Sequence, residues 1–343
     1  MIYKHLLKPF LFAQNAEKAH DWALKTASST HQSSTLQFLA NAVYGGSDKG
    51  LAQNLMGLTF PNPIGLAAGF DKNGRTINAM AALGFGFVEV GSITAVPSKG
   101  NPKPRVFRLP EDRSLINRMG LNNDGAEVII NRLKNSQSKI PLGINIAKTN
   151  DMTIHGDAAI LDYQTSYNLA KTVADYITVN ISCPNTGEGK TFEDPAALKD
   201  LLQALTLKNE PVPTLVKFSV DTNKETLWEL IALCEDLGVD GYVATNTSST
   251  RTGLQTPVDA LQSIGNGGLS GAAIANKSTE VVSWIYDALK GKKPIIGVGG
   301  IDSPAQALAK LDAGANLIQL YSGLVYEGPA LLKRIKKELR GFV

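Results

Sequence analysis

The chain has 343 residues, 43 % of them hydrophobic, enough to bury a substantial core as one large α/β barrel or as two ordinary domains. Its 34 basic and 31 acidic residues are spread along the sequence and leave a net charge of +3, so it carries no electrostatic footprint for nucleic acid. Two distant cysteines, Cys183 and Cys234, with no CxxC, and four histidines (His5, His20, His31, His155) without ligand spacing argue against a disulfide framework and a zinc site and fit a reducing cytosolic compartment.

At the N-terminus, Ile2, Leu6, Leu7, Phe10, Leu11 and Phe12 form an apolar cluster interrupted by Lys4 and Lys8. The run is too short to span a bilayer and has no small-residue cleavage site. After Pro9 and a short break, Ala16, Ala19, Trp22 and Ala23 recur at helical spacing. Two short amphipathic helices with basic edges are expected over residues 1–45, either lying in a membrane interface or capping the main domain through their apolar faces.

From residue 60 onward, short β-rich runs alternate with longer helical patterns. Strands are expected near 64–67, 87–90, 142–146, 176–180, 213–217, 240–244, 294–298 and 316–320. Helices are expected near 74–83, 123–136, 156–172, 195–207, 223–237, 277–288, 303–312 and 329–340. Eight strand-helix units with near-continuous apolar strands, such as Pro294-Ile295-Ile296-Gly297-Val298, point to the α/β class and a closed TIM (β/α)8 barrel over 46–343 with an N-terminal helical extension. A doubly wound open sheet is the competitor, and the count of eight decides against it. The segment 92–122 is long for a connection and rich in Pro and Arg, the mark of a functional loop or an added hairpin.

In a barrel the active site lies at the C-terminal ends of the strands. Those ends carry Ala67-Ala68-Gly69-Phe70-Asp71-Lys72, Gly91-Ser92, Asn145, then Asn180 with Cys183 and Asn185, followed by Lys217, Thr245-Asn246-Thr247, Gly297-Val298-Gly299-Gly300 and Tyr321-Ser322-Gly323. The set has neutral amides, two lysines and glycines, with no carboxylate pair and no metal cluster. The glycine-rich exits after strands seven and eight, with Gly268-Leu269-Ser270-Gly271, suit a phosphate held by backbone N–H groups. Lys217, ending an apolar strand, is either a snorkelling side chain or a fixed cation facing a bound cofactor. Asn117, Asn145, Asn180, Asn185 and Asn246 offer paired donors and acceptors for a flat, uncharged heterocycle, although each alone is more often a turn former. Cys183 could be a small core residue, yet its setting in Asn180-Ile181-Ser182-Cys183-Pro184-Asn185-Thr186 has polar company a core thiol seldom has. Gly189-Lys190-Thr191 resembles the end of a Walker A loop only until Pro184 is found where its leading glycine belongs.

Several long motifs closely resemble the quinone-dependent class 2 branch of the dihydroorotate dehydrogenase family. They are Gly65-Leu66-Ala67-Ala68-Gly69-Phe70-Asp71-Lys72, Gly100-Asn101-Pro102-Lys103-Pro104-Arg105-Val106-Phe107-Arg108-Leu109, Asn117-Arg118-Met119-Gly120-Leu121-Asn122-Asn123, Gly267-Gly268-Leu269-Ser270-Gly271 and Ile295-Ile296-Gly297-Val298-Gly299-Gly300-Ile301. The resemblance implies FMN bound by Ala68, Gly69, Phe70, Asp71, Lys72, Ser92, Asn145, Asn180, Lys217, Thr245, Gly271, Gly300, Tyr321 and Ser322. It implies dihydroorotate, and its product orotate, surrounded by Lys72, Asn117, Arg118, Met119, Gly120, Leu121, Asn180, Asn185, Asn246 and Thr247. Cys183 falls on the position of the catalytic base, where class 2 enzymes typically have serine and the soluble class 1 enzymes cysteine. His20 and Arg108 match positions lining a tunnel for a quinone, ubiquinone or menaquinone. The expectation is a monomer or weak homo-oligomer held through its N-terminal helices on the cytoplasmic face of a bacterial inner membrane, with no nucleic-acid partner. Two competing readings stand beside it: the same enzyme with a soluble electron acceptor, and a barrel that binds a phosphorylated ligand as a sensor with Cys183 inert.

Overall fold

The computed structural model describes residues 3–182, 192–208 and 210–341. Cys183, Asn185 and the Gly189-Lys190-Thr191 run lie outside the described residues. The core is a closed barrel of eight parallel strands: β1 (Ile64–Leu66), β2 (Phe87–Ile93), β3 (Leu142–Ile146), β4 (Tyr176–Asn180), β5 (Thr214–Phe218), β6 (Gly241–Ala244), β7 (Ile295–Val298) and β8 (Leu317–Leu320). Each pairs with its neighbour in sequence, and Ile318 opposite Ile64 closes the ring. All eight expected strands are present. They are buried on both faces, which is why they read as apolar runs rather than as alternations.

The interior is filled by matching a glycine on one strand to a ring on the next. A Cβ on Gly65 would stand 2.3 Å from the Phe87 ring, and one on Gly143 2.2 Å from Tyr176. Below them an antiparallel hairpin, Gln53–Leu55 with Leu58–Phe60, closes the N-terminal end of the barrel. Its two-residue turn, Met56-Gly57, has φ of 55° and 74°, the positive pair that a type I′ hairpin turn requires. Phe60 is fully buried and meets Phe87 edge to face at 5.3 Å.

The helical jacket follows the expected pattern. Asp194, Asn223 and Ser303 cap three of its helices by accepting from Ala197, Thr226 and Gln306 N–H, two of them with proline at the first helical position. The helix expected from 123 begins at Ala126, because Asn123 turns its side chain onto the Gly125 N–H (2.8 Å) and Gly125 takes a φ of 85°. Short helices at Val258–Ile264 and Ser322–Glu327 were not expected from the pattern.

Two additions sit at the C-terminal end of the barrel. Segment 92–122 does contain a hairpin, Val106–Leu109 with Ser114–Asn117, and Gly268–Gly271 joins it as a third antiparallel strand. The N-terminal extension forms helices Lys8–Phe12, Ala16–His31 and Ser34–Ala40, so its second helix is longer than expected and a third follows. Asn15 and Ser33 cap the latter two. The near-buried Glu17–Arg105 ion pair fastens the extension to the barrel, with Lys103 also 3.1 Å from Glu17. Arg108 donates to the Gln14 carbonyl at 2.8 Å. The outer side of the extension leaves Leu6, Phe10, Phe38, Leu39 and Val43 exposed, and it holds more than half of the exposed large apolar side chains among the described residues.

Because the Gly65 position is filled by the Phe87 ring, Gly65→Ala should overpack the barrel and destabilise it by about 2 kcal/mol, measured as a shift of the denaturant midpoint at unchanged slope.

Candidate active site

The strand ends of β1 to β8 and the three-stranded sheet above them enclose a cavity. It brings together most of the residues singled out in the sequence. Ala68, Gly69 and Lys72 contribute from the first strand end, Ser92 from the second, and Asn180 and Lys217 from the fourth and fifth. Thr245, Asn246 and Thr247 follow, and Gly300, Tyr321 and Ser322 complete the far side. Asn117, Met119, Gly120 and Leu121 line it from the covering hairpin.

Five predicted residues stand elsewhere. Asn145 lies one layer behind the cavity, fully buried, where Ser92 Oγ donates to its side chain. Gly271 stands next to the lining residue Ser270, in the strand that pairs with Ser114. Phe70 and Asp71 face the underside of the extension, the Asp71 carboxylate accepting from Thr76 N–H and Oγ at 2.7 and 2.8 Å. Arg118 points away from the cavity: it donates to the Ile264 and Pro104 carbonyls and its guanidinium stacks 4.9 Å over the Phe107 ring.

The floor is organised by a residue that the motif reading did not single out. Glu89, fully buried in the middle of β2, accepts from Asn145 Nδ2 (2.8 Å), Tyr176 Oη (3.3 Å), Thr178 Oγ1 (3.2 Å) and Gln319 Nε2 (2.8 Å). Lys217, buried in β5, interacts electrostatically with this carboxylate. Burial pushes its ammonium down from the usual lysine range, and the negative charge of Glu89 works against that shift. Two polar atoms of the lining, Thr245 Oγ1 and Gln319 Oε1, are buried without a hydrogen-bond partner. Such orphans are costly unless a ligand supplies the missing partner. The signal in the sequence was available: Glu89 and Gln319 are lone polar residues inside apolar strands, and a buried charge there requires several donors.

The opposite end of the cavity is made of backbone. Gly299 and Gly300 take φ of 117° and 75°, and a Cβ on Gly300 would fall 2.4 Å from Ala275 Cα, so only glycine brings this loop against the helix Ala275–Leu289. Lys310, buried, donates to Ser278 and Thr279, and Ser278 in turn donates to the Gly299 carbonyl at 3.0 Å.

At the mouth, Asn246 Nδ2 donates to Asn180 Oδ1 at 3.2 Å and to the Ser182 carbonyl at 3.0 Å. Ser182 is buried and its hydroxyl reaches the Lys217 carbonyl at 3.3 Å, so the residue preceding Cys183 is fixed at the cavity wall. Cys234 is fully buried, and burial pushes its thiol far above the ordinary range, which makes it a core residue. Among the described residues no cluster of His, Cys, Asp or Glu suits a metal ion.

A second, apolar cleft runs between the extension and the barrel, with Phe12, Ala19, Ala23, Met80 and Leu324 in its walls. It brings together His20 and Arg108. Arg108 stacks 4.6 Å over the Phe12 ring, and His20 stands between Phe70 (5.1 Å, edge to face) and Tyr321 (6.4 Å, near-parallel). Tyr321, Val106 and Leu115 belong to both the cleft and the cavity, so one layer of side chains separates them. No helix of the described residues is long and apolar enough to cross a membrane.

Glu89→Ala should strand Lys217 and four donors in the interior and cost about 3 to 5 kcal/mol of unfolding free energy, with Glu89→Gln milder; equilibrium denaturation checks both.

The sequence profile of the family described as "Dihydroorotate dehydrogenase" matches residues 50–343. "Dihydroorotate dehydrogenase (quinone)" of Nitrosospira multiformis is 43 % identical over 347 residues, covering 99 % of this chain and 96 % of that one. The protein of the same name from Chromobacterium violaceum is 44 % identical over 340 residues, covering 97 % and 96 %. Among solved structures, a ligand-free DHODH from Eimeria tenella superimposes with a TM-score of 0.83 at 31 % identity, covering 95 % of this chain and 94 % of its own. The complex of DHODH with ferulenol from the same organism gives 0.80 at 31 % identity.

Proposed function

The chain belongs to the dihydroorotate dehydrogenase family, a family of flavin-dependent oxidoreductases, and we propose that it oxidises dihydroorotate to orotate in pyrimidine biosynthesis with FMN as cofactor and a membrane quinone as terminal acceptor. One arrangement carries this reading: a polar cavity with a fixed buried cation and orphaned buried polar atoms shares a single wall with an apolar cleft under the N-terminal helices.

The cavity's residues suit a flavin mononucleotide. Thr245 Oγ1 and Gln319 Oε1 lack partners that the polar edge of a flat heterocycle supplies, Lys217 supplies positive charge beside it, and the Gly299-Gly300 loop with Ser322 suits the phosphate. Bound FMN contributes the capacity to accept two electrons as a hydride. The chain's own residues do the rest. Lys72 suits the carboxylate of the substrate, and Asn117, Asn180 and Asn246 suit its amide edges, while the covering hairpin with Met119-Gly120-Leu121 keeps water away. Cys183 takes the proton from C5 of dihydroorotate. A thiol with an unperturbed pKa of about 8.5 yields thiolate near neutral pH far more readily than an alcohol.

The choice of acceptor turns on two features that disagree. Cysteine at 183 resembles the soluble class, whereas the extension with its cleft, His20 and Arg108 suits an apolar ring. The cleft decides, because a soluble acceptor has no use for an apolar slot reaching within one side chain of the cavity. The exposed Leu6, Phe10, Phe38, Leu39 and Val43 suit docking on the surface of a bacterial inner membrane from its cytoplasmic face, with the protein a monomer or weak oligomer.

Purified protein should show the absorbance of oxidised flavin, bleach when dihydroorotate is added without oxygen, and regain colour with a ubiquinone or menaquinone analogue faster than with fumarate or NAD. Faster reoxidation by fumarate or NAD would overturn the acceptor, and absent bleaching the whole reading. Cys183→Ala should keep flavin but slow bleaching by several orders of magnitude, and Cys183→Ser should move the optimum to higher pH.

A separate pH dependence follows from Lys72. Burial, with Arg105 nearby, pushes its ammonium down to about 8. The charged form prevails below that pH and is lost above it, so orotate affinity should weaken by about tenfold per pH unit once pH passes about 8. Flavin-perturbation titrations check this, and Lys72→Met should bind more weakly with the dependence gone.

A further inference from the structure

A third cavity lies under the extension, lined mostly by polar and charged side chains with Leu24, Phe70 and Met119 among them, between the helix Ala16–His31 and the loop after β1. Its rim carries Asp21, Lys25, Arg75 and Lys103, all exposed, and its depth reaches the buried Glu17–Arg105 pair. Asn122 Oδ1, in its wall, is buried with no partner. A polar, roomy cavity open at one side and holding an orphaned acceptor takes up water. Among the described residues, it shares only His20 and Phe70 with the apolar cleft. His20 is therefore the titratable group that the two spaces have in common.

The reaction needs such a group. Dihydroorotate gives up two electrons and one proton as a hydride, and a second proton to the base Cys183, which returns it to solvent. Quinone must gain two electrons and two protons to become hydroquinone. Electrons that cross the wall of side chains bring no proton with them, so protons have to enter from water at the cleft, while the proton left on the reduced flavin returns to solvent through the cavity. An apolar cleft beneath membrane-facing helices has no water of its own to give.

We propose that the polar cavity is the proton inlet of the quinone half-reaction and that His20 hands one proton from its water to a quinone oxygen, an N–H bond breaking as the new O–H forms while cavity water reprotonates the ring. This rests on the assignment of the cleft to quinone. The geometry suits a relay rather than a store of charge: a neutral imidazole has one nitrogen that donates and one that accepts. Burial and the charge of Lys72 push its pKa down to about 3, so the ring rests neutral and gives up its N–H proton only as its second nitrogen takes one from water.

The test compares reoxidation of the dihydroorotate-reduced holoenzyme by a short-chain ubiquinone and by ferricyanide, which takes electrons and no proton. The wild type should show a solvent deuterium isotope effect with saturating quinone and none with ferricyanide. His20→Phe, which keeps an aromatic ring, should lower the ratio of the quinone rate to the ferricyanide rate by roughly a hundredfold or more, the scale of general acid catalysis. Ser28→Leu fills the cavity without touching His20 and should lower the same ratio. A crystal structure should place a water within hydrogen-bond distance of a ring nitrogen of His20. An unchanged ratio in both variants, equal isotope effects with the two acceptors, or a dry cavity would each overturn the inlet. A wild-type enzyme that quinone fails to reoxidise while ferricyanide succeeds would instead remove the cleft assignment on which it rests.

Discussion

A carboxylate at the centre of a closed barrel is the constraint around which this protein is arranged. Strands buried on both faces offer no water to a polar side chain, so Glu89 is tolerable only if the protein itself satisfies it. Donors from β3, β4 and β8 converge on it, and the buried Lys217 of β5 interacts with its charge. That requirement holds five of the eight strands in one register. It also fixes the orientation of Asn145, and through Ser92 and Asn180 the floor of the cavity. Stability and the precision of the site are thus two consequences of one buried charge.

The second organising feature is separation. The cavity at the strand ends presents Lys72, Lys217 and three asparagines within a mixed lining, the cleft beneath the extension is mostly apolar, and Tyr321 with Val106 and Leu115 forms the wall between them. Such a wall suits a two-step redox reaction, because electrons cross a layer of side chains while an anionic substrate and an apolar acceptor stay in the media that dissolve each of them. The extension keeps its place through the Glu17–Arg105 pair, the Arg108 contacts with main-chain carbonyls, and the Asn78 N–H donated to His31 at 3.0 Å. Long basic side chains from the barrel reach carbonyls and a carboxylate of the helices, which leaves the apolar faces free to line the cleft.

The barrel was legible because its signals are local and repeated. Apolar strands, capped helices and glycine-rich turns each follow from a few adjacent residues, and eight repetitions leave little freedom in how they assemble. The cavity lining was legible for the same reason, since position at a strand end fixes which way a side chain is presented. What escaped depends on contacts far apart in sequence. The third strand of the covering sheet comes from 268–271 and pairs with residues some 150 positions earlier, which no local pattern announces. Arg118 matches the motif that lines the substrate site, yet its side chain finds the Ile264 carbonyl and the Phe107 ring on the outer side of the hairpin. The β-hairpin at the base of the barrel is short, and Met56 in place of the usual Asn or Asp obscures a turn that its backbone plainly adopts.

The mismatch between Cys183 and the extension then loses its force as an objection. In the proposed reaction, abstraction of the C5 proton and delivery of electrons to the acceptor belong to different half-reactions and are assigned to different walls of the protein. In the proposed assignment the base follows Ser182, which Asn246 and the Lys217 carbonyl hold, while the acceptor belongs to the cleft on the side of Tyr321. Nothing in the packing couples the two: no described residue that holds Ser182 contributes to the cleft, and neither His20 nor Arg108 reaches the fourth strand. On that assignment a change of base is expected to alter the pH at which the first half-reaction runs and to leave what the second accepts unaltered. The identity of the acceptor has to be sought in the cleft and in the polar cavity beside it, where the protons and the apolar ring must meet.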